Sequence, residues 1–207
     1  MLDNFKFNIN EIDKIKKITK EEKDFRLKNL SYFNENGFPN KKNEDWKFSD
    51  LREIVLKNFS KLDSKITKSI DNNINFIKDF DHNFIIVKNG ELSFSDFKFE
   101  DKSKIKIKSF FNNIFTNKKE LNPLVNLNHA LANNGYSLIV EDGYKFKKIL
   151  VIYNLYTDDL NENILNSRNN IEVGKNSELH TMEITLNKSK ENFFNNVYEK
   201  VILKSKK

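Results

Sequence analysis

KILVIYNLY (residues 148–156) is a run of branched and aromatic residues bounded by turn residues, and it reads as a β-strand. Similar runs flank it: SLIV (137–140), NNIEV (169–173), ELHTMEITL (178–186) and VYEKVILK (197–204). From Gly135 onward the chain is therefore strand after strand. Turn residues punctuate the runs, as in Glu141-Asp142-Gly143 and Gly174-Lys175-Asn176-Ser177. Gly143 and Gly174 lie about one solenoid coil apart and each leads into a strand, as consecutive coils would require. An antiparallel sandwich would space its strands similarly.

Moving toward the N-terminus, FIIV and ELSF flank Asn89-Gly90, the turn pair that suits a two-residue hairpin, so a hairpin is expected over 84–94. KIKIK (104–108) alternates as a strand with one wet face. Asn122-Pro123 opens a short helix that turns Leu124, Leu127, Ala130 and Leu131 inward and stops at Asn134-Gly135. The first third reads as helical. Ile9, Ile12, Ile15 and Ile18 recur at near-helical spacing, and Thr19-Lys20-Glu21-Glu22 is a capping box that starts a helix burying Phe25, Leu30 and Phe33. That helix ends at Gly37, with Pro39 forbidding continuation. Further helical stretches are expected through Leu51, Ile54, Val55 and Phe59, and through Ile66, Ile70, Ile74 and Ile77. The expected organisation is a helical domain (1–80), a hairpin and connecting segment (81–135) and a strand-rich unit (136–207).

The chain has no cysteine, so it offers no disulfide and no thiolate ligand or nucleophile. No long apolar run is present, and the N-terminal MLDNFKFNINEIDKIKK is charged where a signal peptide would be apolar, which points to the cytoplasm. The net charge of +6 raises a basic nucleic-acid-binding module as an alternative function. Against it, only Arg26, Arg52 and Arg168 are arginines, and base-reading surfaces favour the guanidinium fork over lysine. His82, His129 and His180 show no paired metal-ligand spacing, so packing or surface roles are assigned to them. Adjacent acids such as Glu44-Asp45, Glu141-Asp142 and Asp158-Asp159 take turn and cap roles. No phosphate-binding or nucleophile-elbow glycine motif occurs, and no catalytic, cofactor-binding or metal-binding residue is nominated. Trp46, the only tryptophan, is expected to plug its polar loop onto the helical domain together with Phe38 and Phe48.

Three segments, in order, carry a family resemblance. GFPNKKNEDWKFSDL (37–51) is similar to the signature of the SufD N-terminal domain. FIIVKNGELSFSDF (84–97) resembles the strand, Asn-Gly turn and following strand of that family. NPLVNLNHALANNGYSLIVEDGYKFKKILVIYNL with SRNNIEVGKNSELHTMEI resembles its Leu-Asn-x-Ala helix and the strands beyond. The matching positions are Gly37, Pro39, Lys42, Glu44, Asp45, Trp46, Lys47, Asn89, Gly90, Asn128 and Gly135. Asn166-Ser167 ahead of Arg168, and Asn134 before Gly135, depart from the family pattern. The resemblance implies an α+β fold in which a helical N-terminal domain leads into the first coils of a right-handed parallel β-helix. It implies a non-catalytic scaffold subunit of iron–sulfur cluster assembly that works, in the full-length protein, with SufB-like and SufC-like subunits, the latter an ATPase that this chain by itself is not expected to bind. The cluster would be handled by the full complex, with no cofactor held by this chain. Phe193 to Lys207 resembles a coil that breaks off, so the chain reads as a piece of a longer protein. Its exposed last rung is expected to self-associate through residues 197 to 203.

Overall fold

The computed structural model describes residues 6–15, 18–60, 62–63, 74–109 and 122–205. Helix α1 (Asn10–Asp13) is a single turn that buries Ile12, while Ile9 stays exposed, so the isoleucine repeat does not become one long helix. Helix α2 (Lys20–Asn36) starts where Thr19 Oγ1 accepts the Glu22 amide at 3.2 Å. The second half of the expected capping box is absent. The Glu22 carboxylate turns inward instead and takes the Arg26 Nε at 2.9 Å, because a buried guanidinium one turn along needs a counter-charge. Gly37 ends the helix at φ 68°, donating its amide to the Phe33 carbonyl. Helices α3 (Leu51–Asn58) and α4 (Pro123–Leu131) are capped by Asp50 and Asn122, each accepting a backbone amide at 2.9 Å. In the helix expected through Ile66 to Ile77, Ile66 and Ile70 lie outside the described residues, and 74–82 is non-helical.

Strands β1 (Asn83–Lys88) and β2 (Glu91–Asp96) form the hairpin around Asn89-Gly90, both at positive φ. They are followed by β3 (Ile105–Ser109), β4 (Tyr136–Val140), β5 (Leu150–Tyr156), β6 (Ile164–Val173), β7 (Thr181–Asn187) and β8 (Phe194–Leu203). These sort into two four-stranded sheets, ordered β2-β1-β5-β7 and β3-β4-β6-β8. The expected parallel β-helix is thereby corrected: the fold is α+β, with two mixed sheets and no solenoid among the described residues. The Asn89-Gly90 turn folds β2 back antiparallel on β1, and β3 runs antiparallel to β4, so each sheet has an antiparallel edge. The glycine interval survives in the pairing. Leu150 lies opposite Thr181, the same separation as Gly143 from Gly174, and the Gly143 amide donates to the Lys175 carbonyl at 2.7 Å.

The inner faces of the sheets enclose Ile85, Val87, Ile105, Tyr136, Leu138, Leu150, Ile152, Ile171 and Val173. The outer face of β6 is covered by helices, where Ile12, Leu30, Phe33, Phe38, Val55, Leu127 and Leu131 cluster with Ile164. Segment 74–82 covers the outer face of β1 and β5. There Phe76 packs on Phe84 and Tyr153, and His82 Nδ1 donates to the Phe80 carbonyl. Its Nε2 is left to accept the Tyr153 hydroxyl at 3.0 Å, and the same hydroxyl oxygen accepts the Ile77 amide.

Candidate functional site

The signature positions divide into two groups. Gly37 to Lys47 stay at the helical end. The Pro39 carbonyl accepts the Arg52 amide at 3.0 Å, Glu44 pairs with Lys47 at 3.0 Å on the surface, and Asp45 is exposed. Trp46 closes a 3₁₀ turn and is partly buried. Phe38 joins the helical core, but Phe48 is 89% exposed with the Lys47 ammonium 5.3 Å from its ring, so it is no part of a plug. Lys42 lines a cavity of about 580 Å³ together with Lys41, Arg52, Glu53, Leu56 and Lys57.

Gly90, Asn128 and Gly135 come together on residues 165–168 of β6, and Asn89, next to Gly90, is fixed on Thr157. Asn89 is buried, with its Nδ2 donating to Thr157 Oγ1 at 2.9 Å and its Oδ1 accepting the Thr157 amide at 3.1 Å. A Cβ on Gly90 would press Leu165 and Ser167 at 3.1 and 3.2 Å, and one on Gly135 would stand 1.9 Å from the Arg168 carbonyl oxygen. Asn128 Nδ2 donates to the Ser167 and Asn196 carbonyls, both at 2.9 Å, so one amide ties α4 to β6 and β8. Asn134, a departure from the family pattern, serves the same junction: its carbonyl accepts the Arg168 amide at 2.9 Å.

Behind this junction runs a buried polar seam that the sequence reading did not assemble. Arg26 pairs with Glu22 and donates to the Ala130 and Ala132 carbonyls at 3.0 and 2.8 Å, which closes the C-terminal end of α4. Arg168 Nε reaches Asn128 Oδ1 at 3.4 Å, and its guanidinium stands over the Tyr198 ring. His129 lies between Phe25 and Tyr198. Desolvation first, then the Arg168 and Arg26 charges, push the His129 imidazolium down to about 4, so it is neutral at pH 7. Desolvation also lowers Arg168 to about 10. The signal was the rarity of arginine: a lysine-rich chain that keeps a guanidinium at two buried positions does so for its fixed fork of donors.

The other polar feature lies where the sheets end. On β8 the residues that share the inner face, Asn195, Val197, Glu199, Val201 and Leu203, are all exposed, and so are Thr181, Glu183, Thr185 and Asn187 of β7. All but Thr185, whose neighbour Asn154 is half-buried, continue a buried row. Ile171 and Val173 are 4% and 7% exposed, whereas their partners Val201 and Leu203 are 56% and 73% exposed. Among the described residues, β7 and β8 have a strand on one side only. Glu199 accepts a hydrogen bond from Asn169, yet its carboxyl is pushed above the usual range by desolvation and by Glu183.

The remaining buried carboxylate has a structural task. Burial pushes Glu100 up, but the Lys147 amide, the Tyr144 hydroxyl, Asn83 and the Lys148 amide all donate to it and leave it below the usual range. The adjacent acids take their expected turn roles at Asp142 and Asp158, which accept the Lys175 and Lys190 amides at 2.8 and 2.7 Å. Among the described residues no group of three or more His, Asp or Glu is placed to hold a metal ion, and no helix is long and apolar enough to cross a membrane. Compared with known proteins, the chain matches no protein-family model and no curated sequence.

Proposed function

We propose that this chain is a non-catalytic scaffold subunit that joins other chains through its sheets, and that it acts in the cytoplasm in iron–sulfur cluster assembly. The observation that carries the scaffold role is the uncovered β7/β8 end. Two apolar rows of the core run out to solvent beside two strand edges that are unpaired among the described residues, which is the geometry that strand addition uses. The buried polar groups of the seam, by contrast, are enclosed between α2, α4 and β6. The partner identities, a SufB-like scaffold and a SufC-like ATPase, rest on the likeness of residues 37–51, 84–97 and 121–179 to SufD. They do not rest on architecture, since two mixed sheets stand where that likeness implied a β-helix.

Co-expression with tagged SufB-like and SufC-like subunits tests this function, alongside iron and sulfide reconstitution of the isolated chain. The expected result is co-purification with the SufB-like subunit and a colourless isolated chain. A stable cluster on the isolated chain, or failure to co-purify with either subunit, overturns it.

A further inference from the structure

The inner faces of β7 and β8 carry two ionisable residues, Glu183 and Glu199, and no cation. Glu183 follows the buried row Ile85–Ile152 outward, and its Oε2 accepts Asn154 Nδ2 at 3.4 Å. Glu199 follows Asn169 outward in the facing sheet. Tyr136 lies on the same row, one residue before Ser137, whose partner Asn170 directly follows Asn169. The Tyr136 hydroxyl and Asn169 Oδ1 are buried with no hydrogen-bond partner among the described residues. The uncovered end is thus apolar at its margin, through Val197, Val201 and Leu203, and acidic at its centre.

This pattern selects an occupant. Glu199 is the middle residue of 195–203, so antiparallel pairing of two copies of β8 over that span, which keeps both inner faces on one side, would set Glu199 opposite its counterpart. Closing two such ends would bring four carboxylates into one desolvated space, and like charges opposite one another across strands repel. We propose that the open end docks a different chain, which adds a strand beside β8 and presents an inward-facing lysine or arginine to Glu183 and Glu199. Its other inward residues are apolar and extend the Ile171–Val201 and Val173–Leu203 rows. This rests on the scaffold reading above and adds to it the chemistry of the partner.

The probe is a synthetic ten-residue strand of alternating valine and threonine with one central lysine, N-methylated along one edge so that it cannot pair with itself. Counterparts carry glutamate or norleucine in place of the lysine. Binding to the full chain is followed by fluorescence anisotropy, with solution mass measured by light scattering. The lysine strand should bind about tenfold more tightly than the glutamate strand, and raised salt should shrink that ratio. In Glu183→Gln/Glu199→Gln the preference should vanish while the norleucine strand still binds. Equal binding of all three strands to the native chain overturns the charge inference and leaves the scaffold reading standing. If no strand binds, both fall. A stable dimer at pH 7 that resists strand addition overturns the choice of occupant.

Discussion

Strands β6 and β8 lie side by side in full register, ten residues each, and their burial is the reverse of their hydropathy. The polar run Asn166-Ser167-Arg168-Asn169-Asn170 of β6 is buried, while Val197, Val201 and Leu203 of β8 are exposed. What separates the two is position. Strand β6 is paired on both edges and covered on both faces, so Asn166 and Asn169 find partners on β8 and Arg168 finds one on α4, while Asn170 Oδ1 is buried with no hydrogen-bond partner among the described residues. Strand β8 has helices over part of its outer face and nothing over its inner face among the described residues. An apolar strand left open in this way is the surface that the proposed strand addition would cover.

The sharpest way to break the comparison is at Gly135, whose φ of 135° and contact with the Arg168 carbonyl hold β4 against β6. Gly135→Ala should cost about 4 kcal/mol or more, enough to prevent folding. Circular dichroism and a denaturant melt would show this, and a variant of native stability would mean that β6 is not so pinned. Next in size, Ile171→Ala should cost about 3 kcal/mol, as expected for a buried aliphatic truncation. Val201→Ala, one strand further out in the same row, is kept for last.

The dryness of the covered face can be tested by pH. The His129 pKa is about 4 in the folded chain, against about 6.5 in the unfolded one. The unfolded state therefore binds the proton first as pH falls. The stabilising contribution of neutral His129 is complete above pH 6.5 and is lost as pH drops toward 4, by up to about 3 kcal/mol. His129→Phe should show a shallower loss than the native chain between pH 7 and pH 4.5 in parallel denaturant titrations. Equal slopes would mean that the imidazole is hydrated. The smallest effect belongs to Val201→Ala, which should stay within about 0.5 kcal/mol of the native chain. A larger loss would show that β8 is already covered in solution.

Local chemistry was legible wherever it was self-contained. The Gly37 stop, the Asn122-Pro123 start and the Asn89-Gly90 hairpin are each decided within a few residues and form as read, whereas only the Thr19 half of the expected capping box forms. Strand β6 was only half seen, as NNIEV, because a strand buried on both faces by polar partners shows no alternation to detect. The two-sheet arrangement escaped for a related reason. Periodic turn glycines give the interval between parallel neighbours but not the direction of the strands at the edges, which the hairpin and the β3–β4 pairing set. The Arg26–Ala130 and Asn128–Asn196 contacts join residues far apart in the chain, beyond what spacing can report. The uncovered end was anticipated from VYEKVILK, but the glutamate facing it from β7 was not.

Arg26 has a consequence for how the molecule opens. Its guanidinium holds the last carbonyls of α4, and only three residues separate Ala132 from Tyr136, the first residue of β4. Fraying of α2 would strip those carbonyls of their donor and slacken the lead into the sheet. Native-state hydrogen exchange should therefore find the backbone amides of α4 and β4 opening together with those of α2 rather than layer by layer.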